Sequence, residues 1–188
     1  LEREEDALQC YDRAIAIDEN NVLAWYCKGN SLSSLERYDE ALQCYDRAIA
    51  IDENDAYAWS SKGDSLLILE RYDEALVCYD RVLKIDGNDV DAWSSKAQIF
   101  SELEMYEEAL QCFDRVLQID KNDVRVWTNK GWVLGNLERY EEALEALSEA
   151  LEHTNIIVNE NERTMTHDKI VTIYNHIIEK SKKSTSNR

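Results

Sequence analysis

Residues 25–48 read WYCKGNSLSSLERYDEALQCYDRA, and the stretch recurs along the chain. Trp25, Trp59, Trp93 and Trp127 stand 34 residues apart. The same step carries Lys28, Lys62, Lys96 and Lys130, then Leu35, Leu69, Leu103 and Leu137. It carries Tyr38, Tyr72, Tyr106 and Tyr140, then Ala41, Ala75, Ala109 and Ala143, then Leu42, Leu76, Leu110 and Leu144. Tyr45, Tyr79 and Phe113 continue the series until Leu147 replaces the aromatic ring. A fixed period of this length marks a supersecondary unit that buries its apolar face only by stacking on neighbouring copies.

Each unit holds two amphipathic segments of helical periodicity. In the first full copy they fall near 22–34 and 38–51, separated by the short break Leu35-Glu36-Arg37. Asp55, Asp89 and Asp123 sit just before the next first helix, where a carboxylate accepts from the free N–H groups of the first turn. The second helices open on acidic pairs such as Asp39-Glu40 and carry Arg47, Arg81 and Arg115 towards their C-termini. That order complements the helix dipole. Gly29, Gly63 and Gly131 lie inside helices, at roughly 1 kcal/mol each relative to alanine. The expected compensation is close backbone approach opposite Ala41, Ala75 and Ala143, with Ala97 filling the slot in the third copy. The chain contains no proline and few glycines, and the helical periodicity runs on without a strand pattern, so the predicted class is all-α.

Trp25, Gly29, Tyr38, Ala41, Tyr45 and Ala48 together resemble the tetratricopeptide repeat (TPR) motif. The resemblance covers residue 1 to about 154. Two departures stand out: Glu53, Gly87 and Lys121 replace the usual turn proline, and lysine replaces the usual leucine before the glycine. The resemblance implies a right-handed superhelical solenoid of antiparallel helix pairs whose first helices line a concave groove. It implies a non-catalytic protein–protein interaction scaffold that binds a peptide or protein segment, with no enzymatic activity and no cofactor.

The array is expected over 1–154, as a half repeat at 1–21 and full repeats at 22–55, 56–89, 90–123 and 124–154. Leu1 aligns with Leu35, so residues 3–18 should form a lone second helix. The absence of its partner would leave an apolar stripe exposed and favour self-association as a homodimer. After residue 154 the motif fails, and 155–188 reads as a C-terminal capping helix with a frayed tail. Ile170, Ile173, Tyr174, Ile177 and Ile178 form one amphipathic stripe, which places that helix near 163–181. Residues 182–188 are expected to fray.

The formal net charge is −18. Nucleic acid, which wants clustered lysine and arginine, is a poor partner for such a surface, as is an anionic membrane. Basic or polar proteins and peptides would be attracted. No run approaches the roughly 20 apolar residues of a membrane span. Five cysteines without a secreted disulfide pattern favour a reducing, cytoplasmic setting. Cys10, Cys44, Cys78 and Cys112 recur one repeat apart. Stacked helices place equivalent positions roughly 10 Å apart, beyond the reach of a disulfide or a shared zinc ion. They read as small packing residues, with Cys27 off the series. The recurring lysines likewise read as framework, their stems packing while their charges reach acidic neighbours. His153, His167 and His176 show no metal-ligand spacing, and the Asp-Glu-Asn-Asp turns lack the glycine and distal glutamate of a calcium loop.

Positions that vary between copies are free to specialise. The family places the groove at fixed offsets from the tryptophan, which here select Tyr26, Asn30, Tyr57, Ser60, Asp64, Asp91, Gln98, Arg125, Asn129 and Trp132, beside Leu23 and Cys27. Asp64 and Asp91 point to a basic or polar ligand. The carboxylate clamp with which some relatives hold chaperone tails is not reproduced, because Tyr26, Ser61, Asp91 and Ser95 occupy its positions. Trp132 has two readings: a groove residue, or one covered by the C-terminal helix.

Overall fold

The computed structural model describes residues 2–154 and 160–186. Regular structure among them is helical, with no strand. The chain divides into two compact units, residues 1–95 and 96–188. The first holds α1 (Glu2–Ile17), α2 (Val22–Ser34), α3 (Tyr38–Ile51), α4 (Ala56–Ile68) and α5 (Tyr72–Ile85). The boundary falls within α6 (Val90–Glu102). The second unit continues with α7 (Tyr106–Ile119), α8 (Val124–Asn136), α9 (Tyr140–His153) and α10 (Glu160–Ser186).

Within the first unit α2 packs on α1 and α3, and α4 packs on α3 and α5. Within the second, α8 packs on α7 and α9, while α10 covers α9 and touches α8. The sequence places α2 and α3 at the observed limits. It underestimates α10, which begins before residue 163 and continues to Ser186, through residues 182–186 that were expected to fray. Lys183 in the last turn suits the negative end of the helix dipole and helps to carry the helix on. Residues 155–159 and 187–188 lie outside the described set.

The helix boundaries follow local chemistry. Asp55 Oδ1 accepts from Tyr57 N and Ala58 N at 3.0 and 3.1 Å, and Asp89 and Asp123 cap α6 and α8 in the same way. Asn21, which the sequence reading passed over, does this for α2 through Ala24 N at 2.9 Å. Each first helix ends in the two reverse bonds of a Schellman turn. In the first full copy these run from Glu36 N to Ser33 O and from Arg37 N to Leu32 O, both 2.9 Å. The turn residue adopts the left-handed conformation, and it is glutamate every time: Glu36, Glu70, Glu104 and Glu138, with φ of 57–60°. Glycine would relieve about 1–2 kcal/mol of steric cost at each.

At Gly29 and Gly63 the cause differs from the one expected. A Cβ on Gly29 would stand 2.5 Å from Tyr45 Cε1, and one on Gly63 would stand 2.9 Å from Tyr79 Cε1. The space therefore admits the aromatic ring of the second helix rather than the backbone opposite Ala41 and Ala75. In the fourth copy the ring is gone, and the space over Gly131 is shared by Leu147 Cγ at 2.6 Å and Ala143 O at 3.2 Å. Tyr45 and Tyr79 are accordingly buried at 1% and 0% exposure, at the centre of the helix pairs.

Candidate functional site

The framework positions are engaged internally. The indole N–H of each of the four repeating tryptophans donates to the carbonyl six residues upstream: Trp25 to Glu19, Trp59 to Glu53, Trp93 to Gly87 and Trp127 to Lys121, at 2.8–3.1 Å. That carbonyl belongs to the inter-repeat turn, at the position where the family usually has proline. Any residue supplies a carbonyl, so the turn holds its place with glutamate, glycine or lysine there. The repeated lysines reach back to the preceding second helix: Lys28 to Asp12, Lys62 to Asp46 and Lys130 to Asp114, each at 2.6 Å. Their ammonium groups also lie over the tryptophan rings, at 5.2–5.7 Å from the centroids. Arg47 and Arg81 approach Trp25 and Trp59 at 5.7 and 5.6 Å. These side chains hold the repeats together, as the sequence reading has it.

In the first unit, the variable positions split into two groups. Tyr26 stands 6.4 Å from the buried Tyr45 ring and 6.5 Å from Tyr57. The three rings step from the core to the surface, where Tyr57 is 75% exposed. Leu23 nearby is 68% exposed. Asn30 and Asp64, by contrast, already have partners. Tyr45 Oη donates to Asn30 Oδ1 and Tyr79 Oη to Asp64 Oδ1, both at 2.8 Å. Asp64 is open to solvent at its rim, yet the packed helices around it strip enough water to raise its pKa. The Tyr79 hydrogen bond opposes that shift, while the charges of Asp91 and Asp89 add to it. Burial likewise pushes the Tyr45 hydroxyl up to about 12. Asp91 is exposed, and Ser60 is half-buried.

In the second unit, Gln98, Arg125 and Asn129 are exposed. Arg125 lies 3.5 Å from Asp123, the cap of its own helix. Trp132 is partly covered by the C-terminal helix. Its ring stands edge-on to Tyr106 at 6.1 Å, it is 44% exposed, and it lines a cavity with Ile173 and Ile177 of α10. The floor of that cavity is Gly135, a residue the sequence reading missed. A Cβ there would overlap Ile177 Cδ1. The signal was present: Gly135 has Ser33, Leu67 and Ser101 as its equivalents, so a glycine peculiar to the last copy marked the seat of an extra helix.

Comparison with known proteins now settles the family. The tetratricopeptide repeat profile matches residues 22–55, 56–89 and 90–123 in succession, and a second tetratricopeptide profile matches 112–145. The chain belongs to the tetratricopeptide repeat family. No curated protein sequence matches it significantly. Among solved structures, the TPR chain is similar to MamA 41-end from Desulfovibrio magneticus RS-1, with a TM-score of 0.77 at 19% identity over 83% of this chain and 88% of that one. It is also similar to YrrB, described as a TPR protein with an unusual peptide-binding site. That match has a TM-score of 0.69 at 22% identity, over 92% of this chain and 97% of that one. These identities establish the TPR solenoid fold, with α10 as its capping helix. Among the described residues no helix is long and apolar enough to cross a membrane, and no group of histidine, cysteine or acidic side chains is arranged to hold a metal ion.

Proposed function

We propose that this TPR chain is a non-catalytic scaffold that holds a basic or polar peptide segment on the first-helix face of residues 1–95. The observation that carries the reading is the pairing of a surface aromatic step, Tyr26 to Tyr57, with the negative field of Asp64, Asp89 and Asp91. An exposed tyrosine supplies apolar contact area at low entropic cost, and its hydroxyl stays available for hydrogen bonds. The acidic field selects cationic segments and speeds their encounter. YrrB, the peptide-binding TPR protein, lends the fold-level precedent. Gln98, Arg125, Asn129 and Trp132 are the groove candidates of the second unit. Five free thiols suit a reducing, cytoplasmic setting.

The test is binding of an arginine- and lysine-rich peptide, followed by fluorescence anisotropy at several salt concentrations. Tyr57→Ala and Asp91→Asn should each weaken binding by about tenfold, equivalent to about 1.4 kcal/mol. Helicity should be unchanged, because both side chains are exposed. Equal affinity for a glutamate-rich peptide would sink the reading. Asn30 and Asp64 are poor test sites, since truncating either strands a buried tyrosine hydroxyl.

A second reading, self-association through α1, rests on Cys10. Its equivalents Cys44, Cys78 and Cys112 are buried, whereas Cys10 is exposed. Concentration-dependent mass in light scattering supports this reading, and a constant monomer mass rejects it.

A further inference from the structure

The cavity between α8 and α10 is chemically unlike the rest of the surface. It encloses about 250 Å³ and has Trp132, Gly135, Ile173 and Ile177 as its apolar walls and floor. Among the described residues no carboxylate lines it, although the chain carries 39 acidic residues against 21 lysines and arginines. Its charged or ionisable lining side chains are His176 and Lys180. Thr172, His176, Lys180 and Lys183 follow one another at spacings of four, four and three residues, so they share one face of α10. The exposed Lys183 thus extends the basic rim outward. The two uncharged polar groups of the lining bond to the backbone of their own helices. Asn136 Nδ2 donates to Trp132 O at 3.0 Å, and the Thr172 hydroxyl donates to Asp168 O at 2.8 Å. What faces outward is an apolar concavity with Lys180 and Lys183 at one end of its rim, while Asp168 stands on the same face of α10 one turn before Thr172.

We propose that this cavity receives an apolar or aromatic side chain from an acidic peptide segment of a partner protein. The side chain packs against the Trp132 indole and Ile173, beside the Ile177 that covers Gly135, while flanking carboxylates meet Lys180 and His176. Burial of the side chain supplies the affinity, and the basic rim supplies the preference for anionic flanks. The site is separate from the tyrosine step on residues 1–95 and has the opposite charge preference, so one chain would hold two chemically distinct segments. The inference does not rest on the basic-peptide reading.

A fluorescein-labelled glutamate-rich peptide with a single phenylalanine, titrated with the full chain, tests the proposal by anisotropy. Binding should weaken roughly tenfold for Lys180→Glu, and by at least as much for a peptide whose phenylalanine is replaced by serine. Tyr57→Ala should leave it unchanged, which separates this site from the other. Lys180 is half-buried at the cavity rim, so circular dichroism and an unchanged melting temperature verify that its reversal leaves α10 docked. Trp132→Ala is the second variant and should also abolish the phenylalanine preference. Equal binding of the serine peptide would reduce the site to a simple charge contact and overturn the proposal. So would equal binding of a lysine-rich peptide, or no response to Lys180→Glu. A mass doubling in light scattering that Lys180→Glu reverses would assign the cavity to a second copy of this chain instead, and that result also overturns it.

Discussion

At the scale of the residue, the informative pair is the position five after each tryptophan and the ring of the paired helix. Asn30 goes with Tyr45, Asp64 with Tyr79, Gln98 with Phe113 and Trp132 with Leu147. Where the second helix offers a hydroxyl, the first offers a short acceptor, and the two bond at 2.8 Å. Where the hydroxyl is lost, the short acceptor is lost with it. Asp64 is the expensive member of the set, since its raised pKa means that the folded state disfavours its charge. A carboxylate whose folded pKa exceeds its unfolded value destabilises the fold above that folded pKa, and the penalty fades as the pH falls through it. Asp64→Asn keeps an acceptor for Tyr79, as Asn30 already does for Tyr45. The variant should melt higher than the parent at neutral pH, and the difference should shrink towards zero in acid below the folded pKa. Thermal melts of both proteins across that range check the sign; a constant difference at all pH values would contradict it.

At the scale of the element, the array is terminated by close approach of α10 to α8. Gly135 leaves room for Ile177, which is 3% exposed, and Ile170 on the same helix is fully buried. Alanine is the better helix former by about 1 kcal/mol. Gly135→Ala should nonetheless destabilise the chain by about 1–3 kcal/mol, because overpacking outweighs propensity. The loss should localise to α10: hydrogen exchange there should speed up while α2 to α5 keep their protection. Combining Gly135→Ala with Ile177→Ala should cost less than the sum of the two single changes, since the second relieves the overlap created by the first. Strict additivity would show that the two residues do not meet.

At the scale of the whole molecule, repeated sequence does not mean repeated environment. Cys10, Cys44, Cys78 and Cys112 stand at equivalent positions, and only the last three are buried. Burial also pushes the Cys78 thiol up to about 11 and raises that of Cys44, which depletes the reactive thiolate. Under native conditions, a thiol reagent such as Ellman's should therefore label Cys10 rapidly and the half-buried Cys27 more slowly. Cys44, Cys78 and Cys112 should react only as their units open. Mass mapping of the labelled peptides reads this directly. Protection of Cys10 that grows with protein concentration would point to self-association through α1.

The 34-residue period by itself determined the helix pairs, the aspartate caps and the framework roles of the tryptophans and lysines. These depend on spacing along the chain and on short-range bonding, which the order of residues encodes directly. It also marked the variable positions, and their pairing with the second-helix ring was there to be read. Tertiary structure decided what those positions are free to do. Packing ties Asn30 and Asp64 to buried hydroxyls and leaves Tyr57 and Asp91 open, and it gives the space over Gly29 and Gly63 to a tyrosine ring. It also seats Ile177 over Gly135 and so makes a cavity beside Trp132. Exposure, desolvation and free hydrogen-bonding capacity belong to a side chain's neighbours in space, and a one-dimensional pattern places those neighbours without showing how they fill the space between them.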